Sequence, residues 1–328
     1  MNHPPYHLRV NKAVDRFLLI EVLRRLNGII DLPDYTYYGF GGPFLEDCRL
    51  LHEYFPKLRL VSIEKERHTF KRQEFHRFSK DLVLKKLSLR KLLGRIRSAG
   101  KEVFWLDYTD TKLARFREFM DLLDVANDGT IVKVTLRAQR DDNPHGMAFE
   151  GDDSEHEAKL AEFKTAIREE FVKVWPAHVT DKELLPGKFP NLIQRMLQVA
   201  AEKILPAGSA GSVFQPIDSV SYTDGTLMLS LTGIVWPLND ITRVKNQFSG
   251  WKFANLSWQP PHKIAVPILS VKERLFLEEF LSVDNNDAET LAKALGYDVG
   301  RGKEDTLRKL AQYADFHRYY PYFAKVTV

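Results

Sequence analysis

The chain has 328 residues, 44% of them hydrophobic and 28% charged, with a formal net charge of +4. That balance excludes a disordered, collagen-like or coiled-coil chain and leaves enough length for one large core, or for one domain with extensions. The single cysteine, Cys48, excludes a disulfide framework and any zinc site built mainly from thiolates.

The first predicted element is a helix over residues 11–27. Asn11 is a good N-cap, Val14, Phe17, Leu18, Val22 and Leu26 recur at helical spacing, and Asn27-Gly28 closes it. After a Pro33-Asp34 turn, the aromatic run Tyr35 to Phe40 reads as a strand feeding directly into Gly41-Gly42-Pro43, with a helix over Leu45 to Tyr54. The pattern then repeats. Strands are expected at Leu58 to Ile63, Leu82 to Leu87, Glu102 to Leu106 and Thr130 to Leu136. Helices are expected at Arg67 to Phe78, Leu89 to Ser98 and Thr111 to Val125. Strands alternating with helices argue for a parallel sheet covered on both faces.

Residues 137–160 are polar and acidic and read as a loop suited to a mobile lid, followed by helices around Ala158 to Val174 and Leu192 to Ile204. Two β-rich runs, Ser212 to Tyr222 and Thr226 to Val235, flank Thr223-Asp224-Gly225, and Asp-Gly between such runs signals a hairpin. Residues 236–267, with three tryptophans and Pro260-Pro261, read as a linker or strap. From Ser270 the chain reads as helical to about Tyr313, with a break at Gly296 to Gly302 and an aromatic end at Tyr319 to Phe323. The expected organisation is an α/β domain over residues 1–240 and a linker with a mainly helical extension over residues 241–328.

In an open α/β sheet, ligands sit outside the carboxyl ends of the strands. The residues just past each predicted strand are therefore the informative ones. Gly39, Phe40, Gly41 and Gly42 follow the first strand, where missing side chains let backbone approach a ligand. Glu64 follows the second strand, and its carboxylate can accept both hydroxyl hydrogens of a ribose. Asp107 and Tyr108 follow the fourth.

Here the chain resembles the class I S-adenosylmethionine-dependent methyltransferases, over roughly residues 10–235. Gly39-Phe40-Gly41-Gly42 looks like that family's glycine-rich first motif, Glu64 matches its ribose-binding acid, and the Ser212 to Val235 hairpin looks like its closing antiparallel pair. The resemblance implies a Rossmann-like, doubly wound seven-stranded sheet ending in that hairpin, with S-adenosyl-L-methionine as cofactor. It implies cofactor contacts from Gly39, Phe40, Gly41, Gly42, Glu64 and Asp107, with Ser88 as the nearest polar residue after the third strand. Asp107 would hold or deprotonate the nucleophile, and Tyr108 would pack on the substrate. Leu106-Asp107-Tyr108-Thr109-Asp110 stands where nucleic-acid amino-methyltransferases carry Asn or Asp, Pro-Pro and an aromatic, which points away from base-nitrogen methylation. The expected reaction is methyl transfer to an oxygen or nitrogen nucleophile. The altered fourth motif also allows a catalytically silent, methyltransferase-like binding or regulatory subunit.

Other residues carry weaker signals. Asn11 or Lys12 could reach the cofactor's methionine carboxylate if the first helix crosses the pocket. His145 and His156 lie eleven residues apart without a closed ligand set, so no metal site is expected. From Arg67 to Lys101 there are 12 lysines and arginines against 2 acids, a stretch that can track the phosphate backbone of nucleic acid or another polyanion, or stand as a solvated basic face. The opening Met1 to Val10 lacks the apolar run of a signal peptide, and no window approaches about 18 uncharged apolar residues. A cytoplasmic protein without a membrane partner is expected.

Overall fold

The structure, a computed structural model, describes residues 9–96, 100–143, 153–206, 211–281 and 287–320. Two predicted features, Asn143-Pro144-His145-Gly146 beyond its first residue and the aromatic end beyond Tyr320, lie outside the described residues, as does the side chain of His156. The chain divides into two compact units. The larger comprises residues 19–221 and 225–262, and the smaller comprises residues 1–18, 222–224 and 263–328.

Eight strands form one sheet: β1 (Thr36–Gly39), β2 (Arg59–Ile63), β3 (Val83–Lys85), β4 (Glu102–Asp107), β5 (Ile131–Arg137), β6 (Ser212–Thr223), β7 (Leu227–Pro237) and β8 (His262–Ile264). Their order is β3-β2-β1-β4-β5-β7-β6-β8. β1 to β5 pair in parallel, and β7 runs antiparallel to β5 in the register Lys133 opposite Thr232 and Thr135 opposite Ser230. This is the doubly wound sheet that the resemblance implies, with one strand more than expected. The additional strand, β8, lies inside the segment read as a strap. Three residues are too few to show a two-residue period, which is why it escaped the pattern.

The helices of the larger unit follow the predicted alternation: α2 (Glu46–Tyr54), α3 (Arg67–His76), α4 (Leu89–Leu93), α5 (Leu113–Val125), α6 (Asp153–Glu170), α7 (Phe189–Ile204) and α8 (Ile241–Gln247). The first helix, α1 (Val10–Leu26), begins in the smaller unit and ends in the larger one. The α8 helix is the second correction to the strap reading. In α7, Leu192, Ile193, Met196, Leu197 and Ala200 are buried, the spacing that turns one face of a helix inward. They join Phe116 and Phe119 of α5, Leu89, Leu92 and Leu93 of α4, and the β4 and β5 side chains in one apolar cluster. On the other side of β2, α2 and α3 are neighbours. Phe44 and His76 rings lie 5.1 Å apart, and Arg49 donates to the His76 carbonyl at 3.0 Å. Right-handed crossovers put α2 and α3 on one face and α4 on the other, because the chain reverses direction across the sheet after β3.

In the smaller unit, α9 (Val271–Glu278) opens with a Ser270–Glu273 capping box, and α10 (Ala288–Leu295) is capped by Asp287 and closed by Gly296 in the left-handed region. α11 (Lys303–Phe316) follows. The buried Arg274 guanidinium sits 3.9 Å from the Tyr320 ring centroid, and the Tyr320 hydroxyl donates to the Pro267 carbonyl at 2.8 Å. No helix among the described residues is long and apolar enough to cross a membrane.

Candidate active site

The strand order turns at β1. From β1 the chain moves outward to β2 and β3, then returns to β4 on the other side. The carboxyl ends of β1 and β4 therefore flank the crevice that such a reversal leaves open. Gly39 lies in register with Ser62 of β2 and Trp105 of β4, so the glycine turn and Asp107 emerge on the same edge.

The turn after β1 is held from below. The fully buried Gln73 of α3 donates its amide to the carbonyls of Phe40 (2.8 Å) and Gly42 (2.9 Å). Ser62 donates toward the Phe40 carbonyl and the Gln73 amide oxygen, both at 3.2 Å. Gly41 and Gly42 have φ of +67° and +55°, a region in which a Cβ is strained. A Cβ at Gly41 would stand 2.5 Å from Ser62 Oγ, whereas one at Gly42 would meet nothing within 4 Å. At Gly39 a Cβ would stand 2.2 Å from the Tyr37 hydroxyl. Gly39 and Gly41 thus make room for the protein itself, and Gly42 faces open space.

Glu64 continues directly from β2. One carboxylate oxygen accepts the Glu66 backbone N–H at 2.7 Å, and its own N–H donates to the Lys85 carbonyl. Glu66 caps α3 through Thr69 N–H at 2.6 Å, and the backbone N–H groups of His68 and then Thr69 hold its carboxyl below the usual range. Ser88 caps α4, accepting from Lys91 N–H at 3.4 Å. Its hydroxyl therefore serves the helix that follows β3.

Asp107 is half-buried at the end of β4, paired with Thr135 of β5. Tyr108 is placed differently from the substrate-packing expectation. It is only 5% exposed, its ring is 5.5 Å from that of Phe40, and the Arg115 guanidinium lies 4.7 Å above it. Burial, and then the Glu118 carboxylate beside it, push its hydroxyl far above the ordinary tyrosine range. Arg115 grips Asp110 with two bonds, 2.7 and 3.0 Å, and holds that carboxyl below its ordinary value. Tyr108 is thus an internal prop of the crevice wall, because an apolar ring flanked by Phe40 and roofed by Arg115 has no face left for a substrate.

Sequence reasoning missed Gln73, Ser62 and Arg115, and also Lys133. This lysine is fully buried in β5, its ammonium 5.2 Å from the Trp105 ring centroid and 3.4 Å from Thr232 Oγ1. Beside it, Trp105 Nε1 donates to Thr135 Oγ1 (3.1 Å), which meets Ser230 Oγ (3.1 Å), so a polar ladder crosses β4, β5 and β7. A lysine inside the run Ile131 to Val134 was the available signal.

Asn11 also departs from expectation. Its amide donates to the Thr223 carbonyl and Asp224, both at 3.0 Å, and accepts from Val266 N–H at 3.0 Å, tying down the hairpin turn within the smaller unit. Among the described residues no group of three or more His, Cys, Asp or Glu is arranged to hold a metal. Between α6 and the segment after it, a recess of about 370 Å³ is lined by Lys164, Arg168, Trp175 and His178.

Residues 4–328 match the family described as "Putative O-methyltransferase". The chain belongs to that family. The resemblance to class I S-adenosylmethionine-dependent methyltransferases read from the sequence holds at the level of family and fold. No curated protein matches the sequence. Among solved structures, it is similar to a complex of LepI with SAH and a substrate analogue (TM-score 0.40, 10% identity, 72% of this chain and 49% of that one). It is also similar to a fibrillarin/Nop5p complex (TM-score 0.36, 10% identity, 68% and 83%). A third is the S-adenosylmethionine-dependent methyltransferase SibL in its apo form (TM-score 0.33, 13% identity, 67% and 55%). The chain spans about half the length of the first solved structures it matches.

Proposed function

We propose that this chain transfers a methyl group from S-adenosyl-L-methionine to a hydroxyl acceptor at the carboxyl edge between β1 and β4. The observation that carries this is the left-handed glycine turn. Gly42 faces open space there, beside carboxylates at the ends of β2 and β4. Those residues fit the cofactor, since a bare backbone admits a ligand closely and Glu64 offers acceptors for ribose hydroxyls. When bound, S-adenosyl-L-methionine supplies an electrophilic methyl on its sulfonium. Glu64 holds the ribose. Gln73 and Ser62 keep the Phe40 and Gly42 carbonyls turned inward, which keeps the turn in one shape. Asp107 would hold the acceptor's hydroxyl and take its proton. Phe40 and Tyr108 make a rigid wall, so rate comes from positioning rather than from a covalent step on the enzyme.

A cytoplasmic setting belongs with this reading, supported by Cys48, a fully buried thiol that burial pushes well above its ordinary pKa.

The test is calorimetric titration with S-adenosyl-L-methionine and its demethylated product. Binding of either is expected. Glu64→Gln should weaken it about tenfold, since a hydrogen bond to a charged group contributes about 1.5–3 kcal/mol. No binding by the wild type overturns the proposal.

A further inference from the structure

The basic stretch forms a collar around the β3 edge of the sheet. Lys71 and Arg72 are exposed on α3 on one face, Lys85 and Lys86 are exposed at the end of the edge strand, and Arg90 and Lys91 are exposed on α4 on the other. None of the lysines and arginines from Lys65 to Arg95 is in an ion pair among the described residues. Arg115, Arg140, Lys164 and Arg195 of the same unit each hold a carboxylate. Of the three acids in the stretch, Glu66 is engaged in capping α3. An exposed cation normally costs nothing to leave in water, so a solvated face is the bland account.

One side chain does not fit that account. Phe75 of α3 is 85% exposed, one helical turn from Lys71 and three residues from Arg72. Its ring stands at 90° to that of His76, 5.1 Å away, and Arg72 lies 4.7 Å over the ring of Phe44. A bare aromatic among unpaired cations offers a π-face for an unpaired base and charges for the phosphates on either side. The collar also reaches the crevice. Lys85 carbonyl accepts from Glu64 N–H, which joins the edge strand to the end of β2.

We infer that this edge binds single-stranded nucleic acid, with phosphates along the collar and a base stacked on Phe75. The inference stands apart from methyl transfer and is read without cofactor. The backbone chemistry is common to RNA and DNA.

The test is fluorescence anisotropy with a labelled mixed-sequence 20-nucleotide RNA, the same sequence as DNA, its duplex, and heparin, each over a salt series. Single strands should bind with a linear log–log salt dependence. A Lys71/Lys86/Arg90/Lys91→Gln variant should flatten that slope by about 0.7 per lost contact. Phe75→Ala should weaken single strands by about tenfold while leaving heparin within about twofold. Thermal melting confirms that both variants fold. Wild type that binds no single strand at low salt overturns the inference, as does duplex bound more tightly than single strand. So does a Phe75→Ala variant that loses single strands and heparin equally. Whether RNA or DNA binds more tightly identifies the source of the strand.

Discussion

The rings of Phe40 and Tyr108 meet 5.5 Å apart across the point where the strand order reverses, one from the glycine turn after β1, the other from the first position beyond β4. Each motif residue thereby spends its aromatic face on the other. The turn that would hold a cofactor and the segment that would hold an acceptor become one wall. Phe40 is fixed at its carbonyl by Gln73 and at its ring by Tyr108, and Tyr108 is fixed in turn by Arg115.

Gln73 is therefore a sensitive position. Gln73→Leu keeps the volume but leaves the half-buried Gly42 carbonyl without its donor and the Phe40 carbonyl with Ser62 alone. Each unmatched buried group costs about 1–3 kcal/mol. Urea unfolding should show a loss of about 1–2 kcal/mol, and cofactor titration a parallel loss as the turn relaxes. A change under about 0.5 kcal/mol would mean that water already satisfies those carbonyls.

Gly41 and Gly42 separate structural from ligand roles. Both sit at positive φ, which costs an alanine about 1–2 kcal/mol. Gly41→Ala also drives its Cβ onto Ser62 Oγ, so it should destabilise the fold more than Gly42→Ala does. Gly42→Ala puts its Cβ into open space and should lower cofactor affinity by at least tenfold with a stability loss near the strain alone. Equal cofactor affinity in Gly42→Ala and wild type would move the ligand away from this turn. Parallel melting curves and titrations make the comparison.

How much of this was legible follows from where the information lies. β1 to β5, the helices between them and the Asp224-Gly225 hairpin were readable because period and turn chemistry are local, and Gly225 indeed has φ of +93°. The glycine turn, Glu64 and Asp107 were readable as strand-end positions. Gln73 was not, since an isolated glutamine on a charged helix acquires its role only when the β1 turn folds against it. The surroundings of Tyr108 were illegible for the same reason: position after a strand does not say which way a ring points, and Arg115 and Phe40 decide that. Lys133 was a visible anomaly in a β-branched run whose meaning depended on Trp105 and Thr232 from other strands.

The Asp110–Arg115 pair makes a pH-dependent contribution with a definite sign. Arg115 lowers the Asp110 carboxyl from its ordinary value of 3.8, so the folded state favours the charged form. That contribution is fully present above the unfolded value and is lost as pH falls through the lowered, folded one. Asp110 is about a third exposed, so solvent discounts the pair. Asp110→Asn should cost about 1 kcal/mol at neutral pH, and the gap between variant and wild type should close below about pH 4. Denaturant unfolding between pH 2 and pH 8 measures it, and a gap that widens on acidification would contradict the pair.

Asp107 and Tyr108 are neighbours with different expected roles, and substitution separates them. Tyr108→Phe keeps the ring against Phe40 and under Arg115 and removes only a hydroxyl that burial and Glu118 keep protonated at any ordinary pH. It should leave kcat within about threefold, because general acid–base catalysis by a group that cannot ionise contributes nothing. Asp107→Asn keeps the shape of a half-buried strand end and removes the proton acceptor. It should lower kcat by about 10²–10⁴ while cofactor affinity changes little. Asp107→Glu, which restores a carboxylate, should recover part of the lost rate. If Asp107→Asn retains the wild-type kcat, the acceptor's proton leaves by another route. If instead Tyr108→Phe is the damaging change, the hydroxyl reaches the acceptor and the wall opens during turnover.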